Sequence, residues 1–554
     1  MVIVAVLTLG PTLVAAEQAA GEWDDQPIGG AVTSQHYLCG SDDLPEGPIQ
    51  GHVPRADQDS RRAEQGYNCG LALVGHTTLD FDGRPPTGNA NMAWAGNCAY
   101  VAGGGALAGE PMPEPGAGVA VVSVSNAGVP RHVANLRHPG STAALETIHA
   151  VTTPEGRSIL VVGQYGNQGL STPPKPMDVY DVSDPDCTKF EHKATFNWPE
   201  NIHNLTISEN GKYVFATMPL QAIDISALWD DDPATGIEYL GNVDAAMEGP
   251  VVAPGPYADA DDNLPAEVQQ AQHPTLTSHE AWPTPDGRTL YLGGVTPAFE
   301  LFTIVDVGEW LDRDALGNPK GTPRVISQRS GRGHSVRTAT IDGVPYVLHS
   351  EESVAGAAFG CLPETANPAA GPAQPWLTKI ADPANPQLVS QFGLEINNPE
   401  NCPAQVESGA NQSVHYHDVD DPNDTTFVMA SMWNAGVRVF DVRNPANPTE
   451  VAYFNPGDVD PTGTTQLDRA WGHVRYVPEK GHIWFATDAG GFWVVRLKGK
   501  VREHLGLDSD TPADDPGRPG TAGSSLSLAA GGLVDAMPYY CTLGTAGGAV
   551  ASAP

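Results

Sequence analysis

One pattern recurs along the chain and restricts what it can fold into: a β-rich run that closes on an acidic or Asn-Pro turn and opens into a second run. It stands as "VYDVSDPDCTKFEHKATF", "LTKIADPANPQLVSQFGL" and "VRVFDVRNPANPTEVAYF". Proline fixes its own φ and offers no ladder donor, so Asp-Pro or Asn-Pro stops one strand and starts the turn to the next. Looser copies are "VAVVSVSNAGVPRHVANL", "AIDISALWDDDPATGIEYLGNV" and "LFTIVDVGEWLDRDALGNPKGTPRVISQ". Ahead of each lies a hairpin with a Gly-containing turn. A unit therefore reads strand, hairpin turn, strand, strand, Pro turn, strand, which is a four-stranded propeller blade.

Units starting near Asn91, His149, His203, His279, His334, His417 and His473 predict seven blades. The last unit ends after three strands, at "GGFWVVRLKGK", while "NCGLALVGHTTLD" (68–80) has the look of an outer strand with no blade of its own. The expectation is an all-β chain: a seven-bladed β-propeller over 68–500, closed by N-terminal and C-terminal strands that share the last blade, which removes the exposed edges of an open array. Residues 1–20 are apolar with small residues at Ala15, Ala16, Ala19 and Ala20, and read as a signal peptide without the usual basic start. Residues 21–67 read as an N-terminal extension. The stretch 501–554, with "GRPGTAGSSLSLAAGG", reads as a low-complexity C-terminal extension.

With 66 acidic against 29 basic residues, the net charge of -37 repels nucleic acid phosphates and anionic membranes. No stretch beyond the N-terminus is long and apolar enough to span a bilayer. Seven cysteines without a C-x2-C pair fit a secreted or periplasmic location. Cys361 and Cys402 flank one long loop and are the expected disulfide. The expected partner is a small-molecule substrate.

The histidines carry the chemistry. His203, His279 and His417 each precede a turn residue by seven positions, at Asn210, Asp286 and Asp424, and His473 stands equally far from Lys480. His334 needs one residue more to reach its turn and His149 one fewer. The first strand of every blade lines the central axis, so this register predicts that His149, His203, His279, His334, His417 and His473 meet at one mouth of the channel as metal ligands, with Asn91 in blade one. Neutral imidazole suits copper, iron and zinc, whereas imidazolium ions crowded on one axis repel. Glu146, Glu280 and Asp418 are candidates to orient those rings from behind. His415 stands two residues before His417 and so on the same strand face; with Glu280 it is a candidate proton acceptor. Arg475, two residues after His473, is expected in the channel, where a fixed cation holds an anionic group. Trp282 and Trp471 are expected to wall the pocket. The chain has no G-x-S-x-G, P-loop, H-E-x-x-H or C-x-x-C-H motif.

In "VRVFDVRNPANPTEVAYF" and "KIADPANPQLVSQF" the chain resembles the LVIVD-repeat family of secreted bacterial propellers, over roughly 68–500. That resemblance implies the fold and not a reaction. The placement of His is similar to propeller enzymes of the nitrous-oxide reductase, thiocyanate dehydrogenase and methanethiol oxidase types, which hold copper, and to carotenoid oxygenases, which hold one iron with four His. No motif string is shared, and the cupredoxin domain of nitrous-oxide reductase is missing. The likeness implies a copper-dependent oxidoreductase, multinuclear in preference, acting on a small molecule, with an iron-dependent oxygenase as an alternative. A non-catalytic extracellular binding propeller, using loops such as Glu248 to Pro274 and Ala355 to Pro375, is the other class of function; a zinc or calcium hydrolase would use fewer histidines than are present.

Overall fold

The computed structural model describes residues 36–81, 91–103, 117–165, 175–230, 236–246, 278–294, 302–329, 333–350, 374–410, 412–457, 468–470 and 472–507. Seven antiparallel sheets form a ring. Their first strands are Met92–Ala95, Ile148–Thr152, Leu205–Ile207, Ser278–Pro283, Val336–Ile341, His417–Val419 and Arg475–Val477. Each is followed in sequence by its own second and third strands, and in blades one to six by its own fourth.

The strand types follow from where each strand sits in the blade. Second strands such as Cys98–Ala102, Ser158–Gly163 and Phe427–Ser431 are buried at every position, because a neighbouring blade packs on both faces. Outer strands such as Arg131–Leu136 mix buried and exposed positions. In all seven blades the pairing of the third and fourth strands slips by a bulge. A bulge steepens the local twist, which lets the outer strand splay from the ring. In the hairpin Asp342-Gly343 both residues take positive φ, 50° and 71°, between the paired Ile341 and Val344, the geometry a two-residue turn requires.

Apolar clusters fill every gap between neighbouring blades. The seam of blades seven and one is packed like the rest, with Trp484, Phe492 and Val494 against Met92, Val101 and Val122. The ring is therefore closed by packing as well as by pairing. The N-terminal stretch divides at Gly70, whose φ of 69° turns the chain from one blade to the next. Tyr67–Cys69 adds a fifth strand outside Thr449–Asn455 of blade six. Leu71–Thr77 becomes the fourth strand of blade seven, running Leu71↔Leu497 to Thr77↔Phe492 along Gly491–Leu497.

The N-terminal segment before it is fastened to the ring. Arg438 lies in a buried ion-pair group with Glu46 and, at 3.2 Å, Glu450. Cys39 is bonded to Cys69 and Cys98 to Cys187, the second bond joining blades one and two. Cys402 is disulfide-bonded as well; its expected partner Cys361 lies outside the described residues, as do residues 1–20 and 508–554. The chain stays ordered past the expected end of the propeller: the helix Gly499–Leu505 buries Val501 and Leu505 against blades six and seven. No helix among the described residues is long and apolar enough to cross a membrane.

Candidate metal centre

The axial side chains come from the residues just ahead of each first strand. Glu146 stands two residues before Ile148, His203 two before Leu205, His334 two before Val336, His415 two before His417 and His473 two before Arg475. These approaches are fixed by backbone bonds to the neighbouring strand, among them His203 N to Thr217 O (3.0 Å), His334 N to Ser350 O (2.6 Å) and His415 N to Ser431 O (2.9 Å). Blade four differs. Its first strand pairs Ser278 with Gly294 and Glu280 with Gly293, so His279 is the extra residue of a bulge. A bulge re-aims a side chain, and here both His279 and Glu280 end up fully buried.

Glu146 is the centre of one group. Its Oε2 lies 2.9 Å from His279 Nε2 and 3.5 Å from His203 Nε2, and its Oε1 lies 3.8 Å from His415 Nε2. The ligand atoms of Glu146, His203 and His279 all fall within 4.8 Å of one another. Two donors each about 2.1 Å from one ion and about 90–110° apart are separated by roughly 3.0–3.4 Å; the observed 2.9, 3.5 and 3.8 Å lie on either side of that range, so the ligand atoms would shift by a few tenths of an ångström to share an ion. His334 extends the group, with its ring 3.6 Å from that of His279 and 4.4 Å from that of His415. Its Nδ1 donates to the His415 carbonyl at 3.0 Å, which leaves the lone pair on Nε2. Burial first, then the neighbouring imidazoles, hold His334 far below its ordinary pKa, so it is neutral. Burial opposes the charge on Glu146; His279, His203 and His415 outweigh it and keep the carboxyl below its usual range. One other group among the described residues has metal-like spacing, Cys39, Asp43 and Cys69, but its two thiols are consumed by their disulfide.

Beside this group lies a second layer, built of ion pairs. Arg337 reaches Glu280 (2.9 Å) and Asp418 (2.8 Å), and its guanidinium lies 3.7 Å from the ring centre of Trp282. His473 adds contacts of 3.4 Å to Glu280 and 3.2 Å to Asp418. Backbone N–H groups of Val336 and Val474 donate to the same two carboxylates. Burial works against both charges and Arg337 outweighs it, so both carboxyls sit below their ordinary values.

The sequence expectations divide accordingly. His203, His279, His334 and His415 are brought together around Glu146. His149, His417 and His473 make their contacts elsewhere. His149 accepts the Ile207 N–H on Nδ1 (3.1 Å) and meets the edge of Trp282. His417 Nε2 is bonded to Ser335 Oγ at 3.1 Å, and burial pulls its pKa down to about 3. His473 belongs to the ionic layer. His415 and His417 do not share a strand face, because the regular strand begins only at His417. Glu280, expected as a proton acceptor, is an ion-pair partner of Arg337. Arg475 is not in the channel: it lies against Trp484 and Trp94 and donates to the Gly96 carbonyl at 2.6 Å, a clamp between blades seven and one. The buried axial cation is Arg337, three residues after His334. Trp282 lies against Arg337 and His149 and packs on the apolar cluster of Phe302, Ile304 and Val336; Trp471 lies outside the described residues.

From its placement, Arg475→Ala should lower stability by about 1 kcal/mol and leave metal content unchanged. Denaturation and elemental analysis of the same sample check this. A loss of metal would return Arg475 to the channel.

The fold and this centre define the class: a seven-bladed β-propeller with a buried axial cluster of imidazoles and one carboxylate. No protein-family model matches the chain, and no curated protein matches it in sequence. The likeness to LVIVD-repeat propellers thus rests on the outer-strand motifs alone. Among solved structures the chain is similar to an ancestral GH74 enzyme, at 10% identity and a TM-score of 0.42 over 74% of this chain; it spans 48% of that one. It is also similar to a chain of a mitotic checkpoint complex, at 12% identity and a TM-score of 0.41 over 83% of this chain and 98% of that one.

Proposed function

We propose that the chain is an exported metalloprotein that binds one divalent first-row transition metal ion at its axis and oxidises a small molecule there. Glu146, His203 and His279 are the primary ligands, with His334 and His415 as further donors. The observation that carries this reading is the set of three buried ligand atoms within 4.8 Å. Imidazole donors disfavour calcium and magnesium. One carboxylate at the centre, approached by three imidazoles, favours a mononuclear centre over a multinuclear copper cluster. Two imidazoles and a carboxylate are the donor set of non-haem iron(II) oxygenases, which puts iron ahead of copper. An ion bound there would supply electron transfer with dioxygen; the chain's own residues would orient its ligands, keep His334 neutral and exclude bulk water. The disulfides Cys39–Cys69 and Cys98–Cys187 support an oxidising compartment.

The near-complete burial of every donor favours a second reading, in which the ion only staples a binding propeller. Elemental mass spectrometry on untagged protein should find one iron or copper per chain, and His279→Ala should reduce this to near zero with the propeller still folded. Azide separates the two readings. A catalytic ion with an open position changes its absorption spectrum when azide is added, and a closed structural ion does not. Protein that neither contains nor takes up metal would overturn both.

A further inference from the structure

We propose that Tyr416 is the positioning residue of the axial centre, a phenol that holds the Glu146 carboxylate in its ligating orientation; this deepens the metal-site reading and rests on it. Tyr416 is fully buried where the two axial layers meet. Its hydroxyl donates to Glu146 Oε2 at 3.1 Å. Asn204 Nδ2 donates to the same hydroxyl at 2.9 Å, so the phenol's own proton is directed to the carboxylate. The ring has little room to pivot. Its centre lies 4.3 Å from that of His473, 4.7 Å from that of His415 and 5.2 Å from that of His334.

The relay Asn204, Tyr416, Glu146 thus comes from three blades and ends on a ligand atom. A carboxylate that binds a metal is in turn fixed by a hydrogen bond, and loss of that outer partner lowers metal affinity by about 10–100-fold. Oε2 is also the oxygen nearest His279 and His203. The phenol therefore draws on the basicity of the oxygen that shares the ion with these two imidazoles, and it stops the carboxylate from rotating toward His415. His334 is oriented by a backbone carbonyl, whereas Glu146 takes its orientation from a side chain. That makes Tyr416 a point at which one atom can be removed without disturbing a strand.

Cobalt(II) titrated into ion-free protein tests this, with affinity and the visible d–d spectrum as readouts. Tyr416→Phe should bind about 10–100-fold more weakly than wild type with a displaced spectrum, and Asn204→Ala should move both readouts the same way by less. A purely structural tyrosine would lower stability and leave the spectrum of the bound ion unchanged. Wild-type affinity and spectrum in Tyr416→Phe overturn the inference. If that variant does not fold, Asn204→Ala decides by the same criterion. A wild type that binds no cobalt overturns the metal-site reading and this inference with it; a wild type that binds, beside an unchanged Tyr416→Phe, overturns the inference alone.

Discussion

Arg337→Met should lower the free energy of unfolding by about 3–5 kcal/mol at neutral pH, the usual loss when one partner of a buried ion pair is removed and the other charge is left behind. Here two charges are left. Glu280 and Asp418 approach the same guanidinium at 2.9 and 2.8 Å, and the side chains are 0% and 12% exposed. Methionine fills much of the volume against Trp282 but supplies no donor. The pH dependence fixes the cause. In the wild type both carboxyls are depressed below their unfolded values, so their contribution is present above pH 4.5 and 3.8 and is lost as the pH falls below these. Without Arg337 burial raises both instead, and the variant loses stability as the pH rises through the raised values. The deficit should thus be largest at pH 7 and shrink toward pH 4, as read from urea denaturation midpoints. Glu280→Gln introduced together with Arg337→Met should recover part of it. A change within about 0.5 kcal/mol, the range of an ordinary surface substitution, would remove the ionic layer from the account of stability.

Arg337 was not singled out, and Glu146 was expected behind the histidines rather than among them; the reason is physical. The blades are legible in the sequence because Asp-Pro and Asn-Pro turns and Gly hairpins are local signals, each read within a few residues. Leu71–Thr77 was legible as a strand without a blade for the same reason. Which side chains reach the axis is set by a different quantity, the distance to the start of the first strand. Counting back from the hairpin turn approximates that distance only where strand length is constant. Blade two shows the error: its first strand begins at Ile148, so the residue two positions ahead is Glu146 and not His149. Blade six repeats it, with His415 in place of His417. Blade four escaped only because a bulge turns His279 inward. Bulges and strand starts depend on pairing across the sheet, which a linear pattern does not contain. A search for any ligand-capable residue in the approach to each first strand, rather than for His at one spacing, would have found Glu146.

Glu146→Gln should abolish the stabilisation that metal confers. An ion that binds only the folded chain adds about 4.1 kcal/mol when present at roughly 1,000 times its dissociation constant, and the variant should gain almost none of this at the same concentration. Glutamine keeps the shape, and its carbonyl can still accept from Tyr416. It removes the negative charge on which His279, His203 and His415 converge at 2.9, 3.5 and 3.8 Å. The lost affinity should exceed the 10–100-fold typical of an outer partner, because the charge belongs to a ligand. In the ion-free protein the two forms should differ far less. There the carboxylate is opposed by burial and favoured by the surrounding imidazoles, and glutamine removes both effects. Ligands must be deprotonated to hold an ion, so the wild-type gain should fall as the pH is lowered. Unfolding midpoints of both forms, with and without iron(II) or copper(II), at two pH values, separate the possibilities. An equal gain in the variant would mean that the ion is held by the imidazoles alone, and that Glu146 is their counter-charge and not their fellow ligand.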